Sequence, residues 1–194
     1  MFGPGIRPRR FLALVGLVLL TGQRSDPCLA AAGEAAEEDD PVLLGLVNRE
    51  EIEAAMPDWV MATVEAMPEM DAADAMVAAL SGAEVTVFFG TWCSDSGREL
   101  PRLWRALDEL GVLSPGEIRY IGVDRDKSEP AAWVEGNDLQ LIPTFVVNRE
   151  GREVGRIVES SPHGIERDLL ALLRGDVIGV ITNSEDFDRE GEEH

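Results

Sequence analysis

The sequence predicts an α/β protein in which a mixed β-sheet is flanked by helices and preceded by a helical extension. The apolar run VTVFF at residues 85–89 is rich in β-branched and aromatic side chains and is typical of a buried strand. An amphipathic helical pattern follows at residues 94–110, and further strand and helix patterns then alternate. The last two strand patterns are joined by a short turn at residues 149–151, which predicts a hairpin and therefore strands of both directions.

The predicted order of elements is β-α-β-α-β-β-α. The long helix has leucines at positions 100, 103, 107 and 110 on one face, and Gly111 is a natural stop. The elements after it are a strand at residues 118–123, a short helix at 130–134, strands at 144–148 and 153–158, and a helix at 164–173. These patterns define one predicted domain over residues 81–175.

Residues 48–80 show a helical pattern that is interrupted by Pro57 and Pro68. Asn48 followed by Glu51 is typical of a helix N-cap with its reciprocal acid. Apolar residues repeat at helical spacing, and we interpret them as one packing face: Ile52, Met56, Trp59, Val60, Val64 and Met67. The sequence therefore predicts a helical extension that packs against the main domain.

The N-terminal residues are typical of a secretory signal peptide. Three arginines within residues 1–10 precede the apolar run at residues 11–20, and alanines follow at residues 30–32. Such a run is too short to span a bilayer, which needs about 20 residues. We predict a signal peptide at residues 1–30, a bacterial protein that is periplasmic or secreted, and no stable membrane span after cleavage. Cleavage would remove Cys28 and leave Cys93 as the only thiol.

The net charge of −20 restricts the partners of this protein. A strongly acidic surface repels phosphate backbones, so we expect no nucleic-acid partner. We predict an acidic linker at residues 31–47 and an acidic tail at residues 176–194. The two histidines, His163 and His194, are too few and too scattered to form a metal site with a cysteine, so we expect neither a metal nor a cofactor.

Cys93 lies where the first strand of the domain passes into the long helix. A helix N-terminus has unpaired N–H groups and a partial positive charge, and both favour a nucleophilic sulfur. Arg98 would add to this effect, and Asp95 would oppose it. Free cysteines are commonly buried and unreactive, but the preceding Trp92 and the strand-to-helix junction indicate a reactive one.

The tripeptide Ile142-Pro143-Thr144 comes directly before a predicted strand. A proline at the start of a strand donates no hydrogen bond to the sheet. It fits a cis turn that presents the backbone of the residue before it.

Taken together, these residues give a sequence that resembles thioredoxin over about residues 83–175. The resemblance depends on TWCSDS after a buried strand, on Pro101 eight residues beyond Cys93, and on IPT before a strand. It implies a thioredoxin fold in which Cys93 attacks disulfides and a groove holds an extended substrate segment. The site residues are then Cys93 and Ser96 as the catalytic pair and Trp92, Ile142, Pro143 and Thr144 as the substrate-binding residues.

Three departures from the thioredoxin pattern bear on function. Ser96 stands where the family has its resolving cysteine, Val87 where it has a buried aspartate, and Tyr120 where a lysine often accompanies that aspartate. In the family those two charged groups help to manage the proton of the second cysteine, so their joint replacement fits a site with one thiol. TWCSDS is also similar to the WCxDS motif of a bacterial branch of thioredoxin-like proteins.

The leading hypothesis is therefore an exported monothiol protein that exchanges disulfides through Cys93, by reduction or isomerisation, with Ser96 as a hydrogen-bond donor to the sulfur. Its partners would be cysteine-containing client proteins or a low-molecular-weight thiol such as glutathione, and the default state is a monomer. The alternative is a non-catalytic module that uses the same groove to bind clients. A one-cysteine peroxidase is a third possibility. Thr91, two residues before Cys93, fits the pattern of those enzymes, whereas the missing upstream proline counts against it.

Overall fold

The computed structural model describes residues 41–112 and 115–187. The strands are β1 (Gly45–Val47), β2 (Ala83–Phe89), β3 (Ile118–Gly122), β4 (Thr144–Arg149), β5 (Arg152–Val158) and β6 (Gly179–Ile181). The helices are α1 (Arg49–Ala55), α2 (Pro57–Glu65), α3 (Met70–Ala79), α4 (Ser94–Glu109), α5 (Ala131–Val134) and α6 (Ile165–Arg174). The predicted signal peptide lies outside the described residues, as do residues 31–40 and 188–194.

The strands form one mixed sheet in the order β1-β3-β2-β4-β5-β6. Strand β2 is parallel to β3 and antiparallel to β4. Strands β4 and β5 form the predicted hairpin, in which Glu150 and Gly151 turn the chain with positive φ angles. The mixed sheet flanked by helices is the fold class that the sequence predicts.

Two three-residue strands extend the sheet at its edges, inside segments that were predicted as linker and tail. Strand β1 pairs antiparallel with β3, and β6 pairs parallel with β5. The prediction of an acidic linker up to residue 47 and of a tail from residue 176 is therefore wrong at these positions. Three residues are too few to show a strand period, and main-chain hydrogen bonds to an existing edge hold such short strands.

Each edge strand pairs with a glycine of the neighbouring strand. Gly45 faces Gly122, and Gly155 faces Gly179. A Cβ atom on Gly122 would lie closer than 3.0 Å to the carbonyl oxygen of Leu43, so the residues before β1 pass directly over this glycine. The absence of a side chain at position 122 is what allows the N-terminal segment to approach the sheet.

We expect Gly122→Ala to lower the free energy of unfolding by about 1–3 kcal/mol, because the added methyl group must displace the backbone at Leu43. Denaturant unfolding of the purified protein measures this loss. Gly116→Ala is the matched control, since a Cβ atom there would meet nothing within 4 Å. Equal losses in the two variants would contradict the close approach.

The helical extension packs on the domain through a narrower face than the sequence predicts. Ile52, Met56 and Trp59 are buried, as predicted, but Val60, Val64 and Met67 are exposed. The reason is that α2 packs on α4 through Trp59, whose indole lies against Gly97 and contacts the rings of Phe89 and Trp104 at 6.2 Å. The buried face therefore continues through Thr63, and the apolar residues on the opposite face of α2 point outward.

Apolar side chains of the sheet form two clusters, one on each face. The larger cluster lies beneath α2, α3, α4 and α6 and contains Val85, Val87 and Phe89 of β2. The smaller cluster is built around Phe88 and Ile142, and Cys93 packs against it. Successive side chains of β2 point to opposite faces, so this one strand contributes to both clusters and ends beside the cysteine.

Candidate functional site

Cys93 is the N-cap residue of α4 and follows β2 by four residues. Its backbone N–H donates to the carbonyl of Gly90 at 3.1 Å, and its carbonyl accepts from Gly97 at 3.1 Å. The side chain is half-buried, and it is the free cysteine of the described residues. The strand end and the helix start thus hold the sulfur in one place while leaving part of it accessible.

The peptide bond between Ile142 and Pro143 is cis, as the sequence predicts. This turn faces the cysteine, because the Cys93 thiol donates to the carbonyl oxygen of Ile142 at 3.3 Å. Thr144 begins β4, and its hydroxyl donates to the carbonyl of Leu141 at 2.6 Å. The structure therefore brings the predicted tripeptide, 49 residues away in sequence, into contact with the predicted nucleophile.

Trp92 also lies at this site, where its indole N–H donates to the carbonyl of Val123 at 3.2 Å. The guanidinium group of Arg125 stacks on the indole at 5.2 Å from the ring centre. Gly90 is required by this arrangement, because a Cβ atom there would lie 2.6 Å from the Trp92 ring and 3.0 Å from Ile142. Neither Gly90 nor Arg125 was predicted as a site residue from the sequence, and only the proximity of Gly90 to Cys93 in the chain could have indicated Gly90.

Ser96 is fully buried one turn along α4. Its hydroxyl oxygen accepts from the backbone N–H of Gly90 at 3.3 Å, so it joins the helix to the loop that carries Trp92 and Cys93. Among the hydrogen bonds of the described residues, none joins Ser96 to the Cys93 sulfur. The direct bond to the sulfur therefore stays a prediction, and the contact that the structure shows for Ser96 is with the loop.

The hydroxyl of Thr91 donates to the carbonyl of Pro41 at 2.6 Å. This bond fixes the residues before β1 beside the site, two positions from Cys93. Thr91 is buried, at 3% exposure. The hydroxyl on which the peroxidase hypothesis depends is therefore already bonded to the backbone of Pro41.

The charges at the start of α4 compensate one another. Arg98 donates to Asp95 at 2.5 Å and to Glu99 at 2.9 Å. Burial lowers the pKa of Arg98, but the hydrogen bonds to Glu99 and Asp95 outweigh it and hold the pKa above its ordinary value. The Glu99 carboxylate also accepts from Arg102 at 3.3 Å. Arg98 is therefore paired with these carboxylates. Its contacts do not show the predicted effect of its positive charge on the Cys93 sulfur.

Val87 and Tyr120 occupy neighbouring positions of β2 and β3, behind the site. Val87 is completely buried. The Tyr120 hydroxyl accepts from the indole N–H of Trp104 at 3.1 Å. Burial raises the pKa of Tyr120 to about 12. These two positions therefore hold an apolar side chain and a neutral phenol at physiological pH, in place of the charged pair that the resemblance to thioredoxin would supply.

We expect stability to fall as the pH rises from about 10 to about 12, because the unfolded phenol ionises near 10 while folded Tyr120 keeps its proton up to about 12. The stabilisation is fully present below pH ~10, and its loss amounts to at most about 2.7 kcal/mol. Unfolding at several alkaline pH values measures it. Tyr120→Phe should flatten this dependence. Because the chain has 1 tyrosine, the tyrosinate absorbance gives the folded-state pKa directly, and a value near 10 would contradict the prediction.

Two further observations concern the described ranges alone. Within residues 41–112 and 115–187, no group of three or more His, Cys, Asp or Glu side chains could hold a metal ion. The helices in the same ranges include none with the length and apolar character needed to cross a membrane.

The fold and the site together define a class of protein. It has a mixed sheet, a half-buried free cysteine at the N-cap of a helix after the central strand, and a cis-proline turn in contact with the sulfur. This is the α/β thioredoxin fold that the sequence predicts.

Known proteins similar to this chain are thioredoxins and thioredoxin-like proteins. Thioredoxin of Echinococcus granulosus is 28% identical over 110 residues, which are 56% of this chain and 95% of that protein. Mitochondrial thioredoxin-3 of Saccharomyces cerevisiae is 24% identical over 82 residues, 42% of this chain and 59% of the yeast protein. Thioredoxin-like protein R548 of Acanthamoeba polyphaga mimivirus is 25% identical over 89 residues, 46% of this chain and 61% of the viral protein.

The chain spans less than two thirds of the length of the yeast and viral relatives. No protein-family model matches it, and no solved structure matches it. The similar proteins support a thioredoxin-like family and a thioredoxin-like redox role.

Proposed function

We propose that this protein exchanges disulfides through Cys93 alone. The observation that carries the proposal is the contact between the Cys93 sulfur and the Ile142 carbonyl at 3.3 Å, at a helix N-cap that is half accessible. A helix N-terminus favours attack by sulfur. The substrates are disulfide-bonded segments of client proteins, which fits the thioredoxin-like relatives.

The reaction begins when the Cys93 thiolate attacks one sulfur of a client disulfide. The bond between the two client sulfurs breaks, a mixed disulfide with Cys93 forms, and the released client thiolate takes a proton from solvent. In isomerisation, another client thiolate then attacks the mixed disulfide, so a new client disulfide forms and Cys93 is released with no net oxidation. In reduction, a small thiol attacks the Cys93 sulfur and frees the client. A second small thiol then restores Cys93, and the two small thiols leave as their disulfide.

The proposal includes an external thiol because Ser96 cannot resolve the mixed disulfide. A buried hydroxyl does not attack a disulfide, so the protein has no group at position 96 that could resolve the mixed disulfide. The bond that Ser96 accepts from Gly90 gives it a structural role instead, holding the loop that carries the nucleophile. Trp92 precedes Cys93 in the chain, and the turn of Ile142, Pro143 and Thr144 meets the sulfur through the Ile142 carbonyl. We assign these four residues to the binding of the extended client segment.

The test is the reaction of the purified protein with a peptide that contains one internal disulfide. The expected product is a mixed disulfide that adds the mass of the peptide at Cys93 and that a small thiol removes. A protein that binds the peptide but forms no adduct would instead be a client-binding module.

We also propose that the protein acts outside the cytoplasm, which the N-terminal sequence pattern supports. Mass determination of the protein from cells that express the full chain tests this. A mature form that begins just after residue 30 or 32 supports export, and an intact N-terminus in the cytoplasmic fraction overturns it.

A further inference from the structure

The outward side of α2 and the loop after it form an exposed apolar surface. Of the ten exposed large apolar side chains in the described residues, five fall within residues 60–70. Val60, Met61, Val64 and Met67 are 37%, 60%, 61% and 95% exposed, and we call these four residues the methionine surface. Contiguous exposed apolar side chains on a folded domain indicate an interaction site.

The side of α2 opposite the methionine surface is buried against α4. Trp59, on the opposite side of α2, is buried at 6% exposure and packs against Gly97 of α4. Thr63 is buried beside it and donates its hydroxyl proton to the Trp59 carbonyl at 2.8 Å. Since one side of α2 is anchored in the core, the opposite side stays exposed at the surface.

The surface residues have the spacing that is found where one helix packs against another. Pro57, Val60 and Val64 are three and then four residues apart, the interval at which side chains share one helix face. The same interval recurs where two helices pack along their apolar stripes. Methionine side chains are unbranched and adapt their shape to a partner, which makes them frequent on surfaces that bind amphipathic helices.

The charged residues of α2 and α3 are all acidic. Asp58 and Glu65 are exposed and seven residues apart, so they lie on the same side of α2 and flank Met61. Asp71 and Asp74 follow on α3 and are exposed as well. The methionine surface is therefore an apolar stripe with the two carboxylates of α2 along one edge.

No cation of the same segment balances these carboxylates. The sequence has no Lys, Arg or His at residues 50–97. Arg98 and Arg102 of α4 line a cavity with Glu65, but both are paired with Glu99. An apolar stripe with an acidic edge is complementary to a helix that is apolar on one face and basic beside that face.

We propose that the methionine surface binds a basic amphipathic helix of a partner protein. The apolar face of that helix packs on Val60, Met61 and Val64, and its Lys or Arg side chains meet Asp58 and Glu65. A second copy of this chain would bring the same carboxylates together, and an anionic membrane or a nucleic acid would meet them with like charge. The charge pattern therefore selects a basic protein helix over these occupants.

The experiment uses protein purified after expression of the full chain and a synthetic helical peptide with a leucine face and lysine edges. Calorimetric titration should show binding that weakens at high salt. Replacing every lysine of the peptide by glutamate, or scrambling its sequence at constant composition, should abolish binding. The variant Met61→Gln/Val64→Gln should bind at least about tenfold more weakly, because two apolar contacts are lost. The variant Asp58→Asn/Glu65→Gln should bind more weakly and lose its salt dependence.

Ile178→Gln is the matched control, because Ile178 is 81% exposed and lies outside the methionine surface. It should bind the peptide as the unmodified protein does. Cys93→Ser should also bind normally, so failure of this proposal is distinguishable from failure of disulfide exchange. Because Met61 and Val64 are exposed, their variants should keep the thermal stability of the parent protein, which circular dichroism verifies.

Five results would overturn the proposal. The first is equal binding of the lysine and glutamate peptides, and the second is unchanged binding by Met61→Gln/Val64→Gln. The third is self-association that this double variant abolishes, and the fourth is binding to lipid vesicles without any binding to the peptide. The fifth is peptide binding that occurs only after residues 1–30 are removed, which would assign the surface to the chain's own apolar segment.

Discussion

Replacement of Cys93 by alanine is expected to reduce disulfide exchange to the rate of the buffer thiols alone. In the proposed reaction the Cys93 sulfur attacks the client disulfide and forms the mixed disulfide, and the neighbouring hydroxyl of Ser96 is buried and does not replace it. The measurement is the rate at which a small protein with scrambled disulfides regains its native pairing in a glutathione buffer, with and without the variant.

Ser94→Ala is the control for this variant. Ser94 is exposed and adjoins Cys93 at the first position of α4, so its replacement perturbs the same helix start without removing the thiol. It should retain most of the exchange rate. If Cys93→Ala and the unmodified protein accelerate the reaction equally, exchange through Cys93 is wrong and the binding-module hypothesis gains support.

Replacement of Ser96 by cysteine is expected to convert the site into a dithiol. Residues three apart in a helix have Cα atoms roughly 5 Å apart, inside the range of about 4.4–6.8 Å that disulfides use. After mild oxidation the variant should lose two hydrogens in mass and both free thiols. In its reduced form it should reduce a client disulfide stoichiometrically without any small thiol, because the introduced thiol resolves the mixed disulfide. The larger sulfur at a fully buried position should cost about 1–3 kcal/mol of stability.

Ser94→Cys separates geometry from the mere presence of a second thiol. Consecutive Cα atoms are about 3.8 Å apart, too close for an unstrained disulfide. This variant should keep two titratable thiols under the same mild oxidation. Two free thiols in oxidised Ser96→Cys would show that position 96 does not face the sulfur, and the site would then differ from that of a dithiol thioredoxin in more than one atom.

Local patterns in the sequence were enough to predict the central elements of the fold. The run at residues 85–89 is apolar except for Thr86, and the structure buries Val85, Val87 and Phe89 in one cluster and Phe88 in the other. The apolar face of α4 could be predicted because its apolar residues repeat over four turns. The cis turn at Pro143 could be predicted because a proline at the start of a strand donates no hydrogen bond to the sheet and fits a turn. The contact of this turn with Cys93 followed from the resemblance to thioredoxin.

The sequence by itself determined the order of the main elements, the mixed sheet and the place of Cys93 at a strand-to-helix junction, because these depend on side-chain periods and on residues next to one another. Only the tertiary structure decided which side of α2 is buried, since Trp59 meets Gly97 from a distant segment. It also decided the edge strands, the stacking of Arg125 on Trp92 and the bond from Gly90 to Ser96. Each of these depends on backbone or ring contacts between residues that no local period connects, so they exist only once the chain has folded.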